Sequence, residues 1–155
     1  GHAPPLQRLA LPNPADLSPL CTVRLLEGCK HLRHLDMTRA DLTNDVLIVV
    51  ARHGSCLDTL CLAASRGEIP TSETVEFIEA APRWPHLRRL NLRKSAAGTD
   101  AFLAAAAKHC PFMLSIDASN TSVCDSGVAA VAKSCPLLER LVLSSTDVTD
   151  SVLPL

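Results

Sequence analysis

Aromatic residues are nearly missing from this chain: three Phe, one Trp and no Tyr in 155 residues. One large core, a sugar-binding cleft or a nucleic-acid stacking platform normally uses more rings. Glycine is scarce as well, six in all. No P-loop, Gly-rich dinucleotide fingerprint or G-x-S-x-G elbow occurs. Neither charge sign dominates, since the formal net charge is −1; no excess of Lys or Arg exists to drive phosphate-backbone binding, and no nucleic-acid partner is expected. The longest apolar stretches, such as Val46–Ala51 and Ala101–Ala107, fall far short of a bilayer span, so no membrane association is expected. Disulfide-type pairing signals are missing too. The seven Cys make an odd count and include no C-x-x-C, which fits a reducing, intracellular and cytoplasmic setting.

Aliphatic mass is what the chain does have. Hydrophobic residues make up 47% and charged residues 20%, so the chain should fold, at the length of one domain. Leu, Val and Ala supply most of that mass, which favours thin repeated layers over one thick core.

Repetition is plain. Cys110 to Ser126 aligns without a gap on Cys135 to Ser151, 25 positions on. Met113, Ile116 and Ala118 fall on Leu138, Leu141 and Leu143, and Thr121, Val123 and Asp125 fall on Thr146, Val148 and Asp150. The same L-x-x-L-x-L frame recurs from Leu6, Leu32, Leu57 and Leu87, so repeats start near 6, 32, 57, 87, 113 and 138. The last two Leu of each frame are two apart, so on a strand they share a face, and residues between them point the other way. Thr43-Asn44-Asp45, Thr99-Asp100, Cys124-Asp125 and Thr149-Asp150 then read as helix starts, because these side chains can accept a free N–H of the first turn. Val46, Val49 and Val50, then Phe102, Leu103 and Ala106, then Val128, Val131 and Ala132 continue at helical spacing. Lys108 and Lys133 suit helix ends. Cys110-Pro111, Cys135-Pro136 and Trp84-Pro85 close their repeats, because proline blocks helix continuation. In the least regular first unit, Ser18-Pro19 reads as a cap plus N1 proline, opening a helix to about Glu27. Neither end shows a polar cap, so a longer parent protein is expected.

This pattern, L-x-x-L-x-L-x-x-T-x-V-T-D followed by V-A-x-V-A-K-x-C-P-x-L, resembles the cysteine-containing leucine-rich repeats of F-box proteins and related protist proteins. The matching positions are the frame leucines, the Thr-Asp helix start and closing cysteines Cys29, Cys56, Cys110 and Cys135; residues 29–155 carry the resemblance well and 6–28 weakly. The resemblance implies an α/β leucine-rich-repeat solenoid of about six repeats: a right-handed horseshoe with short parallel strands on its concave face and helices on its convex face. Two departures stand out. The usual Asn or Cys after the strand is Ala40, Ser95, Thr121 or Thr146, able to offer the loop only a weaker internal bond. The third repeat is about five residues longer, through Arg66 to Thr71.

Chemical constellations are thin. Cys29-x-His31-x-x-His34 and His53-x-x-Cys56 have ligand-like spacing. However, Cys29 and Cys56 read as the same inward repeat position while His34 reads as outward, so the four converging ligands of a structural zinc site are not expected. Buried reduced thiols are the favoured reading. No cofactor is expected, and no Ser or Cys stands in a convincing arrangement with a His and an acid, so the chain is read as a non-enzyme.

The outward strand positions carry the functional expectation. They are Arg8, Ala10 and Pro12; His34, Asp36 and Thr38; Thr59, Cys61 and Ala63; Arg89, Asn91 and Arg93; Ser115, Asp117 and Ser119; Arg140, Val142 and Ser144. The candidate partner-binding set is Arg8, His34, Asp36, Thr59, Cys61, Arg89, Asn91, Arg93, Asp117 and Arg140. Arg89 and Arg93, with Arg88 beside them, form a basic spot able to grip an acidic segment. A merely solvated face is the competing reading, since charged strand residues also discourage edge pairing. Arg66, Glu68 and Ile69 in the long loop are a second candidate, against a harmless insertion. Three roles follow: a protein-interaction scaffold, a substrate receptor of an F-box-type ubiquitin ligase, or a cytoskeletal or ciliary module self-associating weakly through repeat ends.

Overall fold

The computed structural model describes residues 3–11, 17–67, 70–80 and 83–152. Pro12, Glu68 and Ile69 lie outside the described residues. The chain is an α/β structure. Its strands are β1 (Arg8–Ala10), β2 (His34–Asp36), β3 (Asp41–Leu42), β4 (Thr59–Cys61), β5 (Arg66–Gly67), β6 (Arg89–Asn91), β7 (Ser115–Asp117) and β8 (Arg140–Val142). Its helices are α1 (Pro19–Gly28), α2 (Asn44–His53), α3 (Ser72–Ala80), α4 (Asp100–His109) and α5 (Asp125–Ser134). No helix among the described residues is long and apolar enough to cross a membrane.

Six strands form one sheet in the order β1-β2-β4-β6-β7-β8, every neighbouring pair parallel. The register puts Leu9, Leu35, Leu60, Leu90, Ile116 and Leu141 opposite one another in a single column. Behind that column each helix packs on the next, α1 through α5. Val46, Val49, Phe102, Leu103, Val128 and Val131 share one continuous core with the strand leucines. Leu60, Leu62, Leu87 and Leu92 are almost completely buried, each worth about 1.5–3 kcal/mol of transfer free energy. A frame residue and a helix residue depart from expectation. Leu6 is exposed, its repeat having no neighbour on that side among the described residues, and Ala132 is exposed, outside the face set by Val128 and Val131.

The turn after each strand is as regular as the strand. The non-glycine residues with positive φ are Arg39, Ala64, Lys94, Asn120 and Ser145, all between 52° and 61°. Each stands at the same place in its repeat, two residues past the last leucine of the frame. A left-handed residue costs about 1–2 kcal/mol. Here it turns the amide onto the neighbouring repeat: Arg39 donates to Ala63 O at 2.9 Å, Ala64 to Arg93 O at 2.6 Å, Lys94 to Ser119 O at 2.9 Å and Asn120 to Ser144 O at 2.8 Å. The next residue supplies the weaker side-chain bonds expected there. Ser65 and Ser95 join hydroxyls at 2.6 Å, and Thr121 and Thr146 donate to the carbonyls of Ala118 and Leu143.

The closing position needs a correction. Counted back from the frame leucine, the residues in register are Cys29, Gly54, Trp84, Cys110 and Cys135. Cys56 lies two residues later, on a 3-10 turn, and is only half-buried. Gly54 holds the place because Trp84 fills the space beside it: a Cβ on Gly54 would stand 2.9 Å from the indole ring. The indole Nε1–H donates to Ala51 O at 3.1 Å, at the end of α2. Cys29 is half-buried against the core, while Cys110 and Cys135 are buried. Burial pushes the Cys110 thiol far up, with Cys135 adding to the effect, and pushes the Cys135 thiol up to about 11, so both remain protonated at neutral pH.

The long third repeat adds a small second ladder, β3 with β5 in parallel. Gly67 has φ +113°, and a Cβ there would lie 2.1 Å from Leu42 O, so this crossing accepts only glycine.

Candidate functional site

Strand alternation builds the candidate surface. With the central residue of every strand turned to the helices, its two neighbours form straight rows on the opposite, open face. One row runs Arg8, His34, Thr59, Arg89, Ser115, Arg140, and the other Ala10, Asp36, Cys61, Asn91, Asp117, Val142. All of these side chains are exposed or half-buried. Two open hollows lie on this face. One, of ≈320 Å³, is lined by residues of β1, β2 and β4. The other, of ≈400 Å³, spans β4 to β8 and is lined by Thr59, Cys61, Arg89, Asn91, Ser115, Asp117 and Arg140.

The structure thus brings together nine of the ten sequence-derived residues; the tenth, Arg93, is exposed on the turn after β6, beyond the strand itself. Ser119 does not join the face. It is buried, because the alternation ends with the strand and the turn folds this position inward. Arg66 is exposed on β5, in the separate two-stranded ladder.

The second row has a structural task as well. Asp36, Asn91 and Asp117 each accept, through Oδ1, the amide two residues on, from Thr38, Arg93 and Ser119 at 2.9–3.0 Å. These short-range bonds stiffen the strand exits and tie each side chain to its own backbone. Beside them, the Cys61 thiol lies 3.3 Å from the Thr38 hydroxyl, which in turn donates to Asp36 Oδ1 at 2.6 Å.

The basic spot is narrower than expected. Arg88 does not stand free: its guanidinium carbon sits 5.7 Å over the Phe112 ring centroid, a cation–π contact. Arg89 pairs loosely with Asp58 at 3.7 Å and stays largely exposed. Asp58, one residue before β4, escaped the sequence reading because pairing across neighbouring strands leaves no signal in local spacing.

The helix starts hold a second set of residues whose role was missed. Thr43 and Thr99 cap α2 and α4 as expected, through bonds from Val46 N and Phe102 N. Cys124 makes no side-chain cap for α5. Asp100 of the preceding repeat takes over, accepting Cys124 N at 2.8 Å, the Cys124 thiol and the Ser126 hydroxyl. Gly127 permits this, since a Cβ there would strike the Asp100 carboxylate. Asp125 repeats the device one layer on, accepting Thr149 N at 2.7 Å and the Thr149 and Ser151 hydroxyls. Partial burial raises the Asp100 carboxyl, but the hydrogen bonds from Cys124, Ser126 and Gly127 outweigh it and hold the group below the ordinary carboxylate value. Chiefly the Thr149 hydroxyl and amide do the same for Asp125. The recurrence of Asp at 100 and 125 was visible in the sequence, but it pointed to each residue's own helix rather than to the next repeat.

No group of three or more His, Cys, Asp or Glu side chains among the described residues could hold a metal ion. His31, Cys56 and His86 line one shallow hollow with Pro5, Gln7 and Arg33; His34 lies in a different hollow, on the open face. No known protein family and no curated protein matches the sequence.

Proposed function

We propose that the chain is a leucine-rich-repeat solenoid, a right-handed horseshoe with its sheet on the concave side, and that it acts as a protein-interaction scaffold rather than as an enzyme. One observation carries the reading. Six strands in common register present two rows of mostly polar side chains on a face left open, and Asp36, Asn91 and Asp117 are each tied to the amide two residues on. Side chains held in this way lose little entropy when a partner docks.

A displayed random-peptide library selected on the immobilised chain tests this. Clones should lose binding to the Arg89→Ala/Asn91→Ala/Arg93→Ala variant and keep it on Lys133→Ala, which alters an exposed helix residue. The triple variant should melt like the parent. Clones indifferent to the triple change would refute the assignment of this face.

A second reading, end-to-end assembly as a structural module, draws on the last described repeat. Leu138, Leu141, Leu143 and Val148 are only partly buried there, whereas their counterparts Met113, Ile116, Ala118 and Val123 are wholly buried. Sedimentation showing a monomer at high concentration would remove it.

A further inference from the structure

The hydrogen bonds that join one repeat to the next are unspent at both edges of the main sheet. β1 and β8 are its outer strands, each paired on one side only. At every internal junction the last frame position donates forward, from Leu11 N–H to Asp36 O at 2.7 Å through Ala118 N–H to Val142 O at 2.9 Å. The carbonyl just before each strand accepts two amides from the following repeat, from Gln7 O, bonded by Arg33 and His34, to Leu114 O, bonded by Glu139 and Arg140. On β8 these two places belong to Leu143 N–H and Glu139 O, and neither has such a bond among the described residues.

β1 presents the complement. In a parallel ladder alternate residues turn both backbone groups to the same side. Gln7 and Leu11 bond toward β2, so Arg8 and Ala10 face outward. Ala10 O then holds the place that Val142 O holds inside the stack, and Arg8 N–H the place of Arg140 N–H.

Two further features continue past the ends. Asp100 accepts the amide of Cys124, and Asp125 that of Thr149, each at the helix start one repeat on. Asp150 is the next member of this series; it is exposed, and its carboxylate has no hydrogen bond among the described residues. The exposed large hydrophobic side chains also fall at the two ends: Leu6, Leu20 and Leu25 in the first repeat, Phe112 and Leu137 at the starts of the last two.

We infer that the edge of β8 takes the edge of β1 from a second copy of this chain, in parallel and in the register of the sheet, so that copies join head to tail. The inference rests on the end-to-end reading above and gives it a partner, a direction and a register. Leu141 then meets Leu9 in the aliphatic column, Leu143 N–H meets Ala10 O, and Asp150 meets the amide of Ser18, the N-cap of α1. Two β8 edges meeting about a twofold axis would instead pair antiparallel and leave β1 and Asp150 unused. A head-to-tail contact does not close on itself, so it builds open chains rather than a dimer. One pair opposes the union: Arg8 of one copy lies opposite Arg140 of the other, and like charges directly across a strand pair weaken it.

That opposition supplies the test, made by sedimentation of the whole chain over a concentration series. The average mass should climb past twice the 16.5 kDa of one chain without a plateau. Arg140→Glu should tighten the association by about fivefold, the scale of a cross-strand charge pair, and Arg8→Glu should do the same. The two changes together restore like charges and should return the association to the parental level. Ala10→Pro removes an N–H that no internal bond uses and should abolish growth, and Asp150→Ala should weaken it severalfold. Circular dichroism and melting verify that each variant folds, and the two arginine exchanges are made at exposed positions. A plateau at the dimer mass, tightening by the two glutamates that adds instead of cancelling, or indifference to Ala10→Pro would overturn this inference alone and leave self-association through the last repeat standing. A monomer at every concentration, in the parent and in Arg140→Glu, would remove both.

Discussion

Two junctions between repeats solve the same packing problem with different parts. Where the fourth and fifth repeats meet, like stacks on like. Cys110 and Cys135 hold the closing position, and the Cys135 thiol lies 3.6 Å from Cys110 O and 3.9 Å from Ala107 O. Where the second and third meet, one residue is reduced to glycine and the next enlarged to tryptophan, so that Trp84 lies against Gly54 and reaches back to Ala51 O. The uniform junction sets two buried side chains of equal size one above the other. The unequal junction depends on both partners at once. A repeat stack therefore needs constant layer spacing, not constant residues.

The largest effect should come from breaking the unequal junction. Trp84→Ala leaves a void over Gly54 and an unmet carbonyl at Ala51, and should cost about 3–5 kcal/mol. Gly54→Ala attacks the same contact from the other side. Its Cβ would meet the indole at 2.9 Å, and overpacking of this kind costs about 1–3 kcal/mol. The two together should cost less than their sum, because alanine at 54 occupies part of the space the indole vacates. Urea denaturation of the two single variants and the double variant measures the coupling; strict additivity would show that the contact is not shared.

Next in size is the leucine column. Leu60 is wholly buried between β2 and β6, whereas Leu141, on β8, is half-buried. Leu60→Ala should cost about 2–5 kcal/mol and Leu141→Ala roughly half as much, since about half the area is removed from water. Equal losses in a denaturant series would mean that Leu141 is covered in solution.

These comparisons also mark what could be read in advance. The leucine frame located all six strands of the main sheet, and its period-two alternation located the two rows of the open face. Both are local consequences of strand geometry. The closing position was misread at Cys56, because residue type was matched where distance from Leu57 was the physical criterion. Ser119 was misplaced because alternation stops with the strand. Asp58, Phe112 and the cross-repeat work of Asp100 depend on which repeats become neighbours, and about 25 residues of intervening chain carry no trace of that.

The smallest expected effect concerns the helix starts, and it separates the two halves of the stack by chemistry. The link from α2 to the next repeat is uncharged: Asn44 Oδ1 accepts Thr71 N at 3.2 Å and the Thr74 hydroxyl at 2.6 Å. The later links are carboxylates, Asp100 to Cys124 and Asp125 to Thr149. Both carboxyls are held below their ordinary values. A group depressed in the folded state stabilises it fully above its unfolded value, roughly pH 4, and that contribution fades as pH falls through the lower folded value. Acid should therefore loosen the start of α5 and the turn after Val148 before it touches the Asn44 link. Hydrogen exchange measured on a descending pH series, corrected for intrinsic rates, should show protection falling first from Cys124 to Val128. Asp100→Asn/Asp125→Asn should melt earlier than the parent at neutral pH, with the gap closing in acid. A gap that stayed constant across the titration would mean that hydrogen-bond geometry, not charge, holds those two junctions.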